Sequence, residues 1–217
     1  MRDAVQVKVC GLTSAGDAEY SASLGAGYLG FVLHPKSPRC VTLGQFKAMA
    51  GSLPDRPKVA VSVEPAPGEL AAMRDAGFVL FQVHFRHDLP EGIVRAWSSE
   101  VGPEALWLAP KLPPGVDVPA PFLGLASTFL LDTFDPNLFG GTGRTGDWPK
   151  FRRHREAHPE KTWILSGGLS PANVGEALAG TGARFVDVNS GVESAPGTKD
   201  HGKLAAFFAA VRGAAVP

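Results

Sequence analysis

Short apolar segments alternate with longer amphipathic segments along the chain, and eight such repeats in 217 residues leave about 27 residues for each. The apolar segments predict β-strands, and the segments between them, in which apolar residues recur every three or four positions, predict α-helices. The predicted strands are residues 6–10, 28–33, 58–63, 79–83, 105–109, 128–132, 162–166 and 184–188. The predicted helices are residues 14–25, 43–53, 66–76, 89–100, 148–158, 171–180 and 200–212. Strands that alternate with helices form parallel sheets, so the chain belongs to the α/β class.

Eight parallel strands can close into a (β/α)8 TIM barrel, and this chain has a length near the short end for that fold. A doubly wound open sheet is the competing architecture, and it binds dinucleotides through a GxGxxG turn after the first strand. Here the corresponding turn, residues 10–16, reads CGLTSAG, and no acidic residue ends the second strand. No linker-like segment marks a second domain. We therefore predict a single (β/α)8 barrel domain over residues 1–217, with its active site at the C-terminal ends of the strands.

The connection after the fifth strand is expected to be degenerate. It carries five prolines, Pro110, Pro113, Pro114, Pro119 and Pro121. A proline in a helix interior costs about 3 kcal/mol, because it lacks the backbone N–H and collides with the preceding turn. We expect an irregular connection, or one short helical turn, at this place.

Charge and apolar patterning exclude several kinds of partner. Lysine and arginine total 21, and aspartate and glutamate also total 21, so no strongly basic field exists to hold a nucleic acid. No apolar run approaches the roughly 18 residues of a membrane span, and the first ten residues lack the apolar core of a signal peptide. The only cysteines, Cys10 and Cys40, are too few for a disulfide scaffold and too far apart for a zinc motif. We expect a cytoplasmic protein without a nucleic-acid or membrane partner.

Reactive side chains stand where predicted strands end. Cys10 ends the first strand, His84 follows the fourth and Asp132 ends the sixth, before a glycine-rich segment. Each has an ordinary structural explanation when taken alone: a small buried thiol, a histidine satisfied in a loop, or a turn aspartate. In a TIM barrel, however, all strand ends of one polarity meet at the same rim. Their convergence favours a catalytic site.

The loops after the last two strands predict a phosphate-binding site. Gly167 and Gly168 follow the seventh strand, and Ser190 and Gly191 follow the eighth. Glycines allow a ligand close to the backbone, and many barrels bind phosphate between these two loops. Ser170 is placed to cap a helix that starts at the next residue, a proline, and the free N–H groups of a helix start suit an anion. An ordinary turn is the alternative for either loop alone.

Further motifs occur in a fixed order over nearly the whole chain. They are residues 7–13 (VKVCGLT), 30–31 (GF), 37–39 (SPR), 130–132 (LLD), 140–143 (GGTG), 166–169 (SGGL), 186–193 (VDVNSGVE), 196–197 (PG) and 199–200 (KD). In this order they resemble the motifs of the phosphoribosylanthranilate isomerase family. The opening KxCGxT and the closing DVxSGVE are, as a pair, specific to that family.

The resemblance implies a (β/α)8 barrel that acts in tryptophan biosynthesis, without cofactor or metal. The implied reaction is the Amadori rearrangement of N-(5-phosphoribosyl)anthranilate to 1-(2-carboxyphenylamino)-1-deoxyribulose 5-phosphate. By resemblance, Asp132 is the general acid, Cys10 is the general base, and Arg39 holds the anthranilate carboxylate, a task that suits a bidentate guanidinium. His84, with the glycines and Ser190 of the last two loops, would bind the substrate. The only implied partner is this small molecule, and monomer and homodimer both stay open.

The chain departs from the family pattern at three places. Residues 85–87 read FRH where the family usually has a glycine and acidic residues, residues 59–63 read VAVSV, and the region of the fifth strand is rich in proline. These departures leave open the shape of the anthranilate pocket and the role of His84. They do not touch the predicted acid and base.

The implied reaction needs one acid and one base. The ring oxygen must gain a proton as the ribose opens, and C2′ must then lose one. An aspartate of ordinary pKa, about 3.9, is ionised at pH 7, so Asp132 needs a raised pKa or a proton gained on binding. A thiol of ordinary pKa, about 8.5, is mostly protonated, and Lys8 or Arg39 could lower the pKa of Cys10. Lys8 lies two residues before Cys10 and therefore on the same strand face.

Two other functions are compatible with parts of the pattern. A related barrel could isomerise a different phosphoribosyl compound. The pattern of such enzymes, however, has an aspartate at the end of the first strand, where this chain has Cys10. A non-catalytic phosphosugar-binding barrel would keep the glycines and would need neither Cys10 nor Asp132. The presence of both residues favours an enzyme.

Overall fold

Eight parallel strands close into a barrel in chain order, and the first strand pairs with both the second and the eighth. This arrangement is seen in a computed structural model that describes residues 4–133 and 147–214. The barrel strands are β1 Gln6–Val9, β2 Tyr28–Val32, β3 Lys58–Val63, β4 Leu80–Arg86, β5 Leu106–Lys111, β6 Thr128–Leu131, β7 Thr162–Leu165 and β8 Phe185–Val188. The predicted (β/α)8 barrel is confirmed. The segment 140–143 lies outside the described residues.

Helices follow the strands and cover the outside of the barrel. They are α1 Ala15–Ser23, α2 Leu43–Ala50, α3 Glu69–Asp75, α4 Glu91–Val101, α5 Ala120–Leu123, α6 Trp148–Ala157, α7 Val174–Thr181 and α8 His201–Gly213. The degenerate connection after β5 is confirmed, because α5 is a single turn of four residues. Within the described ranges, no helix is long and apolar enough to cross a bilayer.

Two strands of the barrel run further than predicted. The fourth was expected to end at residue 83 and the fifth at 109, but β4 and β5 pair as far as Arg86 and Lys111. Phe85 is fully buried against Trp97 and Phe122, which holds β4 in the sheet beyond His84. Pro110 is tolerated because β5 pairs with β6 only at Trp107 and Leu108, so no partner on that side needs its missing N–H.

The start of α7 differs from the prediction. Ser170 does not cap a helix that begins at the next residue, because α7 begins at Val174. The side chain of Asn173 accepts a hydrogen bond from the Ser170 N–H at 2.8 Å and donates one to the Gly168 carbonyl at 2.9 Å. These local bonds close a turn before the helix, as asparagine side chains often do.

A short antiparallel pair, β9 Glu193–Ala195 with β10 Thr198–Lys199, follows a 3₁₀ turn at Ser190–Val192 and was not predicted. Strands of two and three residues are too short to show a periodicity in sequence. The pair lies between β8 and α8 and brings charged side chains back to the rim of the barrel.

Side chains of the strands alternate between the barrel interior and the shell beneath the helices. On β3, Val59 and Val61 belong to the interior cluster, while Ala60 belongs to the shell. The rings of Tyr28, Trp107 and Phe185 pack together at the N-terminal end of the interior, with centroids 4.9–5.6 Å apart. Aromatic side chains therefore fill the N-terminal end of the interior.

A matched pair of valines tests the assignment of the interior. Val59 is fully buried inside the barrel, whereas Val79 is 56% exposed just before β4. Val59→Ala should lower the free energy of unfolding by about 2 kcal/mol, through two lost methylenes and a residual cavity. Val79→Ala should change it by less than about 0.5 kcal/mol. Urea denaturation measures both, and equal effects would contradict the packing described here.

Candidate active site

A cavity of about 100 Å³ opens at the C-terminal end of the barrel. Seven of the eight predicted site residues line it: Cys10, Arg39, His84, Asp132, Gly167, Gly168 and Ser190. Gly191 does not line it. Its Cα lies against the backbone of Leu169, whose carbonyl carbon would be 2.9 Å from a Cβ, so Gly191 lets the loops after β7 and β8 pack together.

The strand alternation explains why these side chains meet. Lys8 and Cys10 have the same parity on β1, and the intervening Val9 packs in the shell. Asp132 has the parity of Leu130, which lies in the barrel interior. Polar interior positions near the C-terminal ends of several strands therefore project into one cavity.

Cys10 lies one residue beyond β1, with its sulfur in the cavity wall. Its side chain is buried, and its N–H donates to the Val188 carbonyl at 2.9 Å. Burial raises the pKa of the Cys10 thiol, and the ammonium group of Lys8 opposes this rise without reversing it. The expectation that Lys8 lowers this pKa is right in direction, but burial is the larger effect. Arg39, the other residue expected to lower this pKa, pairs with Glu193 instead.

Asp132 lies one residue beyond β6, and burial raises its pKa to about 6. A hydrogen bond from the Thr133 N–H to the carboxylate, at 2.7 Å, opposes this rise, and Asp187 adds to it. The general acid was expected to need a raised pKa, and the pKa of Asp132 is raised. Gly167, at φ +93°, leaves room for the carboxylate, because a Cβ there would lie 2.9 Å from Asp132 Oδ1.

His84 faces the cavity from β4 as a neutral ring. Burial, the positive charge of Lys8 and the nearby His34 together lower the pKa of His84 to about 3, and burial is the largest of these effects. Its Nε2 lies 2.8 Å from the side-chain nitrogen of Gln82, which donates to it, so the ring proton is assigned to Nδ1. A histidine of this pKa is not an imidazolium acid at neutral pH.

Arg39 reaches the cavity from the loop after β2 and is held by Glu193. Its Nε and Nη2 donate to the carboxylate at 2.9 and 2.7 Å, and Lys199 Nζ donates to the same carboxylate at 2.9 Å. Burial raises the pKa of Glu193, but the hydrogen bonds from Arg39 and Lys199 outweigh it and hold the pKa below its usual value. Lys199 Nζ also donates to the Asn189 side chain at 3.0 Å.

Several of these residues escaped prediction. Glu193 and Lys199 stand in quoted motifs, but nothing in their spacing shows that Glu193 pairs with both Arg39 and Lys199. Lys8 and Asp187 form a buried ion pair at 2.8 Å across neighbouring β1 and β8. Strand alternation predicts that both side chains enter the barrel interior. It does not predict that they pair, because the pairing depends on closure of the barrel. Over residues 4–133 and 147–214, no group of three His, Cys, Asp or Glu side chains could hold a metal ion.

Known proteins are similar to this chain over nearly its whole length. The sequence profile of the family described as N-(5′-phosphoribosyl)anthranilate (PRA) isomerase matches residues 7–210. An N-(5′-phosphoribosyl)anthranilate isomerase of Zymomonas mobilis is 38% identical over 213 residues, which cover 96% of this chain and 98% of that protein. One of Sinorhizobium fredii is 39% identical over 213 residues, with 96% and 93% coverage.

Solved structures give the same result. The crystal structure of phosphoribosyl anthranilate isomerase from Thermotoga maritima has a TM-score of 0.78 and 30% identity, and the match covers 96% of this chain and 99% of that one. A phosphoribosyl anthranilate isomerase in complex with reduced 1-(o-carboxyphenylamino)-1-deoxyribulose 5-phosphate has a TM-score of 0.75 and 29% identity, with the same coverage. The chain described here therefore belongs to the N-(5′-phosphoribosyl)anthranilate isomerase family.

Proposed function

We propose that this protein catalyses the Amadori rearrangement of N-(5′-phosphoribosyl)anthranilate to 1-(2-carboxyphenylamino)-1-deoxyribulose 5-phosphate, in tryptophan biosynthesis. The observation that carries the proposal is that Cys10 and Asp132 line one cavity with Arg39 and with the loops after β7 and β8. A binding protein for phosphosugars would need the loops alone. A fluorescence assay for loss of the anthranilate substrate, with purified protein, tests the activity directly.

Asp132 acts first, as the general acid. The lone pair of the anthranilate nitrogen forms a C1′=N bond, the bond from C1′ to the ring oxygen breaks, and that oxygen takes the proton of Asp132. Cys10 then acts as the general base, and its thiolate removes the proton from C2′ of the iminium. The resulting enolamine tautomerises to the ketone, so the product has the composition of the substrate and no co-reactant is consumed.

Because the pKa of the proposed acid lies below that of the proposed base, the reaction requires an uncommon protonation state of the enzyme. The pKa of Asp132 is about 6, and burial holds that of Cys10 above its usual value. Between the two, the free enzyme carries one proton, mostly on the thiol. The active form has the proton on Asp132 instead. It is a minor form, and its fraction does not change with pH in that interval.

Arg39 is placed to recognise the carboxylate of the anthranilate ring. Glu193 occupies the Nε and Nη2 side of the guanidinium. A substrate carboxylate that enters from the cavity would bind at the Nη1 side, as a charged hydrogen-bond acceptor. Glu193 and Lys199 would keep the fork in this orientation in the absence of substrate.

The phosphate of the substrate is expected at the loops after β7 and β8. Gly167, Gly168 and Ser190 line the cavity there, and Gly191 holds the two loops together. Backbone N–H groups of such loops are suitable anion donors. The phosphate and carboxylate would then be anchored on the same rim, with the sugar between them and the two proton-transfer groups below.

Charge and cavity size also bear on the partners and the location of the protein. We infer a single barrel domain in the cytoplasm whose partner is this small molecule, without nucleic acid or membrane, because the charge is balanced and the site faces a small cavity. A similar structure is described as mutually generated monomers of a dimeric phosphoribosylanthranilate isomerase from Thermotoga maritima. Sedimentation equilibrium decides between monomer and homodimer for this chain.

The first functional prediction concerns the acid and the base. Cys10→Ala and Asp132→Asn should each lower kcat by about 10²-fold or more, with little change in KM, because each removes one proton-transfer group and leaves the anchors in place. Cys40→Ser is the matched thiol control and should keep full activity, because Cys40 lies outside the cavity lining. Full activity of Cys10→Ala would refute the proposed base.

The pH dependence of kcat/KM gives a second prediction. Activity should fall below about pH 6, where both groups are protonated and no base remains. It should stay level above pH 6 and fall again above the pKa of Cys10, where no acid remains. The substrate phosphate also titrates near pH ~6. Asp132→Asn separates the two causes: if Asp132 is responsible, the level region should disappear and the residual activity should rise with pH up to the pKa of Cys10, whereas an additional fall below about pH 6 should persist if the phosphate is responsible.

Arg39 gives a third prediction. Arg39→Ala should weaken binding of a product analogue that carries the carboxylate by about 1.5–3 kcal/mol, the usual contribution of a charged hydrogen bond. The same analogue without its carboxylate should bind both proteins equally. Isothermal titration calorimetry measures all four affinities. Equal losses for the two analogues would make Arg39 a structural residue.

A further inference from the structure

Two buried charges of the barrel interior, close to the proposed catalytic groups, have no role in the proposed mechanism. Lys8 is fully buried, Asp187 is 6% exposed, and their side chains pair at 2.8 Å. Burial lowers the pKa of Lys8, but the Asp187 carboxylate and the Cys10 side chain together outweigh this and hold it above its usual value, so the ammonium group stays charged. A buried ion pair gives little net stability, because both charges lose their hydration. Its presence here therefore calls for another explanation.

The ammonium end of the pair lies beside Cys10. Both side chains cover Gly30 on β2, where a Cβ would lie 3.0 Å from Lys8 Nζ and 3.0 Å from Cys10 Sγ. A side chain at position 30 would separate the two groups. Glycine at this position therefore permits the contact between a cation and the sulfur that must lose its proton.

The carboxylate end lies toward Asp132. Asp187 Oδ1 accepts from Lys8, and Oδ2 lies 3.5 Å from the Ser166 hydroxyl, one residue beyond β7. The Ser166 N–H donates to the carbonyl of Leu131, the residue before Asp132, and both carboxyl groups line the same cavity. A negative charge on this side opposes ionisation of Asp132.

We propose that the Lys8–Asp187 ion pair positions the reaction's protons, because its cation faces Cys10 and its anion faces Asp132, which favours a deprotonated thiol together with a protonated carboxyl group. This inference rests on the roles proposed for Cys10 and Asp132. The electrostatic effects agree with it. Lys8 lowers the pKa of Cys10 more than Asp187 raises it, and Asp187 raises the pKa of Asp132 more than Lys8 lowers it.

Other charged or titratable groups face the two sites. Lys199 from β10 also lowers the pKa of Cys10. The remaining groups of this kind in the lining of the cavity are His34, Arg39 and His84. Of the charges around Cys10, Lys8 acts most strongly on its pKa, and Asp187 is the charge that acts most strongly on Asp132. Removal of the ion pair should therefore increase the difference between the pKa values of Cys10 and Asp132.

The test removes both charges in a protein with one thiol. In a Cys40→Ser parent, Lys8→Met/Asp187→Leu replaces the pair with apolar side chains of similar volume, a change that buried ion pairs often tolerate. The thiolate absorbance of Cys10 should then titrate at higher pH. The level part of the kcat/KM profile should widen and should fall about tenfold for each pH unit of added separation between its limbs, with little change in KM.

A second ion pair provides the control. Glu91→Leu/Arg95→Met removes an exposed pair on α4 and should leave the thiol titration and the profile unchanged. An unchanged Cys10 titration in the folded Lys8→Met/Asp187→Leu protein would overturn the proposal, and so would loss of its fold, which would make the pair a requirement of the barrel. The thiol titration needs no turnover. It therefore separates a failure of this inference from a failure of the roles of Cys10 and Asp132, which their own variants report.

Discussion

The alternation of side chains in a closed parallel barrel decides which residues of this protein can meet. Every second residue of each strand enters the interior, and the interior has room for only a few layers. Aromatic rings fill the N-terminal end, aliphatic side chains fill the middle, and polar side chains remain for the C-terminal end. In that last layer, burial is deep enough to alter proton affinities and a cavity still opens outward.

Burial acts to raise the pKa of Asp132, Cys10 and Glu193, but its effect is outweighed at Glu193 and not at the two proton-transfer groups. It raises the pKa of both Asp132 and Cys10, which helps the acid to hold a proton but opposes ionisation of the base. Arg39 keeps its orientation through a carboxylate that is itself neutralised by two cations. The site thus combines a polar rim of compensated charges with an inner pair of groups whose pKa values burial raises.

Much of the fold was predictable, because eight apolar segments at regular spacing leave few architectures. Cys10 and Asp132 were predictable as strand-end residues, since parity and polarity place them on one rim. The bond between Lys8 and Asp187 was not, because residues 179 positions apart become neighbours only when β8 closes on β1. The start of α7 was misplaced for a local reason: Ser170 has the chemistry of a cap, but the amide of Asn173 engages its N–H in a turn. Strands β9 and β10 were missed because two or three residues carry no pattern.

The sharing of Glu193 between Arg39 and Lys199 has an evolutionary consequence. Loss of the carboxylate would leave two cations close together beside the rim, and loss of either cation would leave the other to neutralise the carboxylate alone. Single substitutions at these three positions are therefore poor intermediates, whereas joint replacement by neutral side chains avoids the imbalance. Relatives that have abandoned a carboxylate-bearing substrate should differ at positions 39, 193 and 199 together, and they should rarely differ at only one.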